Sequence, residues 1–440
     1  MLYQSYEPYD SCGKGLGVKI QRGMRYRLYP TPDQVATLDE QGHAARSLWN
    51  LLHDWWTWGG RNRRPTLKQA DQAIRQARQD IDWLGALPAQ ASQQVLKNYA
   101  RAWKNFFEGR AKPPTFKSRL RSRAAVDVPQ GRDLDVTKLS RRWATVKIPK
   151  VGVVRLRLHR TLPGTVTGAR LLREADGWHI VFRANWEQPD PAPHPGPSVG
   201  IDRGIAAPLA LSDGTMIGHG PWLRPKEAER LLRLERRSAR QRRTRQRGEP
   251  ASKRLRRTYD AIAGLRARAA RRRADWQHKT TRTLAGTYGL IGVEDLNIAA
   301  MTRSAKGTVE APGRNVAQKA GLNRSIQGEA WGQLVEQLTY KTAERGGAVV
   351  RVPAPHTSQR CHACGFITPG SRESQARFAC KNPQCGWGGN ADVNAARNIH
   401  HAAKQAASTT APGSGVAGRG ALQPSGGAKK RQPKRKDPVP

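Results

Sequence analysis

The sequence predicts an α+β multidomain protein: a small β-barrel carrying a helical insertion, then an α/β domain with a metal-binding insertion. Three observations predict it. Strand-like patterns at residues 18–28 and 126–187 flank a long helical block. A stretch of alternating prolines, Pro189, Pro191, Pro193, Pro195 and Pro197, cannot pair inside a sheet and divides the chain. Four of the five cysteines fall between 361 and 385, within a region of short apolar runs that end in carboxylates.

The elements follow in order. Residues 1–16 have no period and are expected to be a flexible leader, with Cys12 an unpaired thiol. Val18, Ile20, Tyr26 and Leu28 alternate with Arg22, Arg25 and Arg27, which reads as a basic strand over 17–30. Thr31-Pro32-Asp33-Gln34 then has the N-cap, the helix-starting proline and the glutamine of a capping box, and opens a helical insertion over 31–120. Val95, Tyr99, Ala102 and Phe106 repeat at helical spacing. Trp49, Trp55, Trp56, Trp58, Trp83 and Trp103 read either as an aromatic core or as base-stacking platforms among basic residues. Short strands with turns at Gly152, Gly164 and Asp176-Gly177 make 121–188 the rest of the barrel. The linker is 189–197. The second domain runs over 198–355 and resumes at 390–405, with a cysteine insertion at 356–389. Residues 406–440, rich in Ala, Ser, Gly and Pro and ending in Lys and Arg, are expected to be a disordered basic tail.

Charge narrows the partners. The chain of 440 residues has 77 Lys+Arg against 34 Asp+Glu, a formal charge of +43. Self-repulsion of that size calls for a polyanion. Of the cations 55 are Arg and 22 are Lys, a bias toward bidentate phosphate binding and base stacking rather than a membrane surface. A basic helical hairpin is expected over 223–283; within it, Arg224 to Arg282 carries 22 cations and 6 acids, which suits a surface that tracks a nucleic-acid backbone. No apolar run approaches the ~18–20 residues of a membrane span, and the first 30 residues lack the order of a signal peptide. No membrane partner is expected. The clustered cysteines fit a reducing cytoplasm and a metal site better than a disulfide scaffold.

Two groups of residues carry chemistry. Cys361-His362-Ala363-Cys364 and Cys380-Lys381-Asn382-Pro383-Gln384-Cys385, 15 residues apart, fit a tetrahedral Zn²⁺ site, with Gly365 and Gly386 supplying the sharp turns. His356 and His362 lie near, but four thiolates need no fifth ligand. Asp202 ends the apolar run from Ser198, Glu294 ends that from Tyr288, and Asp392 opens a helix capped by Asn390 or by Asp392 itself. A carboxylate at the end of a buried strand is costly unless it is paired or binds a metal. Each acid alone also reads as a turn or cap residue. Together they would make a hard-oxygen site for Mg²⁺ or Mn²⁺, suited to phosphodiester hydrolysis.

Several motifs carry a resemblance. Val199-Gly200-Ile201-Asp202-Arg203-Gly204, the run from Gly292 to Met301, Thr357-Ser358-Gln359-Arg360-Cys361 and the run from Asn390 to Ile399 resemble the TnpB (OrfB) family. So do Tyr26-Arg27-Leu28-Tyr29-Pro30-Thr31, Leu87-Pro88-Ala89-Gln90, Lys104-Asn105-Phe106-Phe107 and Pro114-Thr115-Phe116-Lys117-Ser118. The likeness spans roughly residues 20 to 402. TnpB proteins are insertion-sequence-encoded, RNA-guided DNA endonucleases related to type V CRISPR effectors. The resemblance implies an RNase H-like (RuvC) domain behind a wedge barrel with a helical recognition insertion. It makes Asp202, Glu294 and Asp392 the catalytic, magnesium-binding triad. It makes Cys361, Cys364, Cys380 and Cys385 the zinc ligands of a target-nucleic-acid-binding insertion. A guide RNA and a target double-stranded DNA with a short flanking motif are the implied partners, bound by a monomer in the prokaryotic cytoplasm and on the nucleoid. Two features depart from the family pattern: four residues, rather than two, separate the second cysteine pair, and the leader and proline linker match no motif. A compact type V CRISPR effector, a guide-directed repressor that binds without cutting, and a strand-transfer transposase are the competing readings.

Overall fold

The computed structural model describes residues 17–58, 64–119, 122–243, 245 and 249–409. The expected leader with Cys12, and the expected tail beyond residue 409, lie outside the described residues. The described chain forms two compact units: one holds the residues up to Asp190 with Trp222–Arg272, the other Pro191–Pro221 and those from Arg273 onward.

In the first unit β1 (Gly17–Tyr29) leads into α1 (Pro32–Trp58), α2 (Leu67–Asp80), α3 (Asp82–Gly85) and α4 (Ala89–Phe107). The strands β2 (Ala125–Val128), β3 (Val136–Lys138), β4 (Trp143–Ile148), β5 (Gly152–Arg157), β6 (Thr165–Glu174) and β7 (Gly177–Pro189) follow. All pair antiparallel in the order β2-β6-β7-β1-β5-β4-β3. β1 binds the sheet together: Gly17 to Arg27 pair with β7, then Leu28 and Tyr29 with β5. Among the described residues β2 and β3 do not pair with each other, so the expected barrel is a curled half-barrel. α1 and α4 pack against β2, so helix rather than strand meets that edge. Gly42 lets α1 approach, since a Cβ there would lie 2.7 Å from that of Ala124. The capping box forms as expected: Thr31 N–H donates to Gln34 Oε1 at 3.1 Å and the Gln34 amide donates to Thr31 Oγ1 at 3.4 Å. β3 escapes the sequence reading because its three residues are too few and too polar to show a period.

The tryptophans divide. Trp49, Trp56 and Trp103 all meet the buried Tyr99 edge-on and form the helical core, whereas Trp58 is 91% exposed. The basic hairpin is α5 (Pro225–Arg243) and α6 (Lys253–Thr287), the latter continuing into the second unit. Leu255, Ile262 and Leu265 give α6 its buried seam.

The second unit contains β8 (Ser198–Asp202), β9 (Leu209–Leu211), β10 (Met216–Ile217), β11 (Leu290–Glu294) and β12 (Ala348–Val352), in the order β10-β9-β8-β11-β12. β8, β11 and β12 run parallel; β9 and β10 form the hairpin expected around Asp213-Gly214. The helices are α7 (Ile298–Met301), α8 (Val316–Glu329), α9 (Trp331–Ala343) and α10 (Ala391–Ser408), and a small hairpin, β13 (Arg377–Ala379) and β14 (Gly388–Asn390), precedes α10. Side chains alternate across a strand. Val199, Ile201, Ile291 and Val293 therefore join Leu284, Leu334 and Leu338 in one apolar layer. The opposite face carries Gly200 and Gly292, and α10 lies on it. A Cβ at Gly200 would fall 2.1 Å from the Ala396 carbonyl, and one at Gly292 2.6 Å from the Ala403 Cβ.

Candidate nuclease and metal centres

The same alternation aims the acids. Asp202 lies two residues after Gly200 and Glu294 two after Gly292, so both carboxylates fall on the face that α10 covers. β8 and β11 pair in register, Val293 opposite Ile201, which brings the two acids to adjacent carboxyl ends of parallel strands. The glycines bring α10 down onto those strands and place its first turn, with Asp392, at the same ends. Asn390 is the helix cap; its side-chain oxygen accepts from the amides of Asp392 and Val393 at 2.9 and 3.0 Å.

Electrostatics records the convergence. Burial, then the charges of Glu294 and Asp392, push the Asp202 carboxyl up to about 7, against the pull of the Arg203 amide and Arg372. Burial lowers Arg203 to about 10; its guanidinium donates to the Glu294 carbonyl. Arg372 Nη2 meets Asp392 Oδ1 at 2.8 Å, and the Thr357 hydroxyl donates to Glu294 Oε1. Among the described residues the sets of three or more Cys, His, Asp or Glu ligand atoms within 4.8 Å of one another are the four cysteines and Glu174-Asp176-His179. The three candidate carboxylates, Asp202, Glu294 and Asp392, are less tightly gathered than that. The Glu174 set is taken up by arginines: Arg25, Arg123 and Arg271 pair with its acids at 3.0, 3.1 and 2.7 Å. By contrast the Asp202 carboxyl is raised by burial and by its acidic neighbours more than the Arg203 amide and Arg372 lower it. Three oxygen-donor acids on one face, with Asp202 raised by burial and by the other two charges, fit a divalent cation.

The cysteines are free thiols. Sγ of Cys361 lies 3.8 Å from that of Cys385, and Sγ of Cys364 lies 3.6 Å from that of Cys380. Zn–S bonds of about 2.3 Å make a tetrahedron with edges of about 3.8 Å, so the set fits a four-coordinate ion. Gly365 and Gly386 adopt φ of 75° and 61°, where a side chain would be strained. The longer loop of the second pair still closes, through the Cys385 amide to the Asn382 carbonyl at 3.0 Å. His362 is engaged elsewhere, its Nδ1 3.1 Å from Asn394 Oδ1 and its Nε2 3.0 Å from Arg397. His356 is exposed, with Nδ1 3.4 Å from Gln359 Oε1.

The two centres share α10. Asn398 donates to the carbonyls of Thr357 and Arg360 at 3.0 and 2.7 Å, and Asn394 donates to Arg360 at 2.7 Å. Both asparagines are buried. One face of the helix thus fastens the base of the cysteine insertion while its first turn presents Asp392. The helical spacing of Asn394, Arg397 and Asn398 is visible in sequence; nothing in the sequence marks Arg372.

Comparison with known proteins agrees with this layout. Residues 20–56 match the family described as "Helix-turn-helix domain" (OrfB_IS605), 181–305 "Probable transposase" (OrfB_IS605), and 331–399 "Cas12f1-like, TNB domain". The chain is 37% identical over 321 residues to "Putative RNA-guided DNA endonuclease InsQ" of Escherichia coli (strain K12), covering 73% of this chain and 76% of that protein. It is 28% identical over 391 residues to "Putative RNA-guided DNA endonuclease" of Streptomyces pristinaespiralis, covering 87% and 89%. Over 77 residues, 18% of each chain, it is 43% identical to "CRISPR-associated endodeoxyribonuclease Cas12f1" of Sulfoacidibacillus thermotolerans.

Proposed function

The chain belongs to the TnpB (OrfB) family, and we propose that it is an RNA-guided, divalent-metal-dependent DNA endonuclease whose site is Asp202, Glu294 and Asp392. The observation that carries the reading is the placement of these three acids at the ends of β8, β11 and the start of α10, where burial and then the charges of Glu294 and Asp392 raise Asp202. Mg²⁺ or Mn²⁺, when bound, supplies the Lewis acidity that phosphodiester hydrolysis needs. Asp202, half-buried at the end of β8, is the centre of the site. Glu294 is oriented through the Thr357 hydroxyl, and Asp392 sits at a helix N-terminus, whose dipole favours its charge. Arg372 brings a guanidinium beside Asp392, where it suits the oxygens of a scissile phosphate.

The cysteine set holds Zn²⁺ as the core of a target-nucleic-acid-binding insertion. Guide RNA neutralises much of the +43 charge and reads the target by base pairing, while the protein reads a short flanking motif. No described helix is long and apolar enough to cross a membrane; we place the protein in the prokaryotic cytoplasm, as a monomer on its RNA. We take the wedge over 17–30 and 121–188, the helical insertion over 31–120, the nuclease core over 198–355 and 390–405 and the cysteine insertion over 356–389 as the working domain division.

The test uses the RNA-loaded protein and a plasmid bearing the matched target and flanking motif. Asp202→Ala, Glu294→Ala and Asp392→Ala each lower the cleavage rate on the order of a thousandfold or more, with target binding retained. A triad variant that cuts at the wild-type rate removes the assignment. Wild-type protein that binds the target and never cuts, with any divalent ion, makes the chain a guide-directed repressor.

A further inference from the structure

One motif has no part in the nuclease site: Pro114-Thr115-Phe116-Lys117-Ser118. In the first unit α1 holds it as a strand would. The Asn50 side-chain amide donates to the Lys117 carbonyl at 3.1 Å, and its oxygen accepts from the Lys117 amide at 2.8 Å. Trp49 Nε1 donates to the Thr115 carbonyl at 3.1 Å, and the Phe116 ring stands edge-on to His53 with centroids 4.6 Å apart. This clamp sets the Lys117 ammonium over the Trp49 ring, 3.5 Å from its centroid. There it lines a cavity of about 130 Å³ together with Arg46, Asn98, Arg123, Asp127 and Arg170.

The charge in this cavity is predominantly positive: Arg46, Lys117, Arg123 and Arg170 line it against Asp127. Arg170 reaches Asp127 at 3.6 Å, Asn98 donates to the same carboxylate at 3.0 Å, and Arg123 pairs with Glu174 at 3.1 Å. Arg46 and Lys117 form no ion pair among the described residues. Burial, then Arg170, pushes the Lys117 ammonium down to about 8, against the opposing effect of Asp127. Burial and Arg119 push Arg46 down as well. Desolvated cations set side by side cost free energy, and an entering anion offsets that cost. Lys117 covers the face of Trp49, so the ring is not open to stack a base there. The opening is lined by guanidinium, ammonium and amide donors, the groups that bind phosphate oxygens.

We propose that this pocket seats one backbone phosphate of a bound nucleic acid, with Lys117 and Arg46 as its cationic ligands. The site belongs to the first unit and uses none of the three nuclease-site carboxylates, so it can fail while the cleavage reading stands, and the reverse. The phosphate comes from the guide RNA or from the target DNA, and the experiment separates these sources.

Full-length Lys117→Met keeps an apolar stem on Trp49 and removes the charge; Arg46→Gln is the second variant. Lys112→Met, an exposed position outside the pocket, is the control. One arm measures rebinding of the copurifying RNA to stripped protein across a salt series. The other measures binding of a mixed-sequence DNA duplex by RNA-loaded protein. In one arm each pocket variant weakens binding about tenfold, as expected for a charged hydrogen bond. The log–log salt slope falls there by about 0.7 for RNA or about 0.9 for DNA. Which arm responds names the source. Melting of nucleic-acid-free Lys117→Met holds or rises, because a desolvated charge is gone. If both pocket variants behave like Lys112→Met in both arms, or Lys117→Met only lowers melting, Lys117 is a packing cation and the pocket binds no phosphate.

Discussion

The four-cysteine insertion and the three-carboxylate site lie on the same helix yet are built in opposite ways. The cysteine ligands come from one stretch of 25 residues, Cys361 to Cys385, and two left-handed glycine turns bring them to tetrahedral spacing. The carboxylates lie 92 and 98 residues apart along the chain. They meet because β8 and β11 pair in register and Gly200 and Gly292 admit α10. The first site is a property of local turns and the second of packing. Local turns gather four thiols at metal-ligand spacing, whereas packing brings three acids to one face and, through burial and the charges of the other two, raises the Asp202 carboxyl.

The comparison can be broken first at the cysteines. Cys361→Ser or Cys380→Ser should release the zinc, forfeit a coupled binding and folding energy of about 10 kcal/mol, and unfold 356–390. Metal analysis and hydrogen exchange read both effects. The sheet from β8 to β12 should stay protected, while cleavage falls because Thr357 and Arg372 leave Glu294 and Asp392. A sheet that unfolds with the insertion would show that the two centres are one cooperative element.

The next test concerns stored repulsion. The folded Asp202 pKa is about 7 against 3.8 for the unfolded carboxyl, so its stabilising contribution is complete below about pH 4 and lost as pH rises to 7. In magnesium-free buffer Asp202→Asn should therefore be more stable than wild type above pH 7, by up to about 4 kcal/mol. The gap should close toward pH 4. Thermal melting across that range checks the sign, and added Mg²⁺ should shrink the gap by stabilising wild type. A constant difference at all pH values would mean that charge crowding is not what distinguishes this site.

The smallest change is Gly200→Ala. Its methyl would meet the Ala396 carbonyl, and overpacking of this kind costs about 1–3 kcal/mol. α10 should shift off the sheet and carry Asp392 with it. Cleavage should drop well beyond what the loss in melting temperature explains, with the zinc content unchanged. Loss of zinc with loss of cutting would erase the contrast between local and packed construction.

Legibility in sequence follows the same division. Thr31-Pro32-Asp33-Gln34 announced α1, and the apolar runs before Asp202 and Glu294 announced β8 and β11, because capping and alternation are read within a few residues. The cysteine spacing identified its own site for the same reason. β3 is too short to register, and how far the small barrel closes depends on pairing between strands far apart in the chain. Arg372 and Thr357 carried no signal of their contact with the acids: an arginine in a loop reads as surface charge, and a threonine before a cysteine reads as turn chemistry.

By itself, then, the sequence determined the charge that calls for a polyanion, most of the elements and their order, and the spacing of the four cysteines, and it singled out the three acids as candidates. Only the tertiary structure decided that those acids share one face, that Arg372 and Thr357 attend them, and that Lys117 lies over Trp49 with Arg170 and Asp127 nearby. Local interactions are encoded in neighbouring residues, whereas burial and Coulomb interactions depend on distances that the folded chain alone sets.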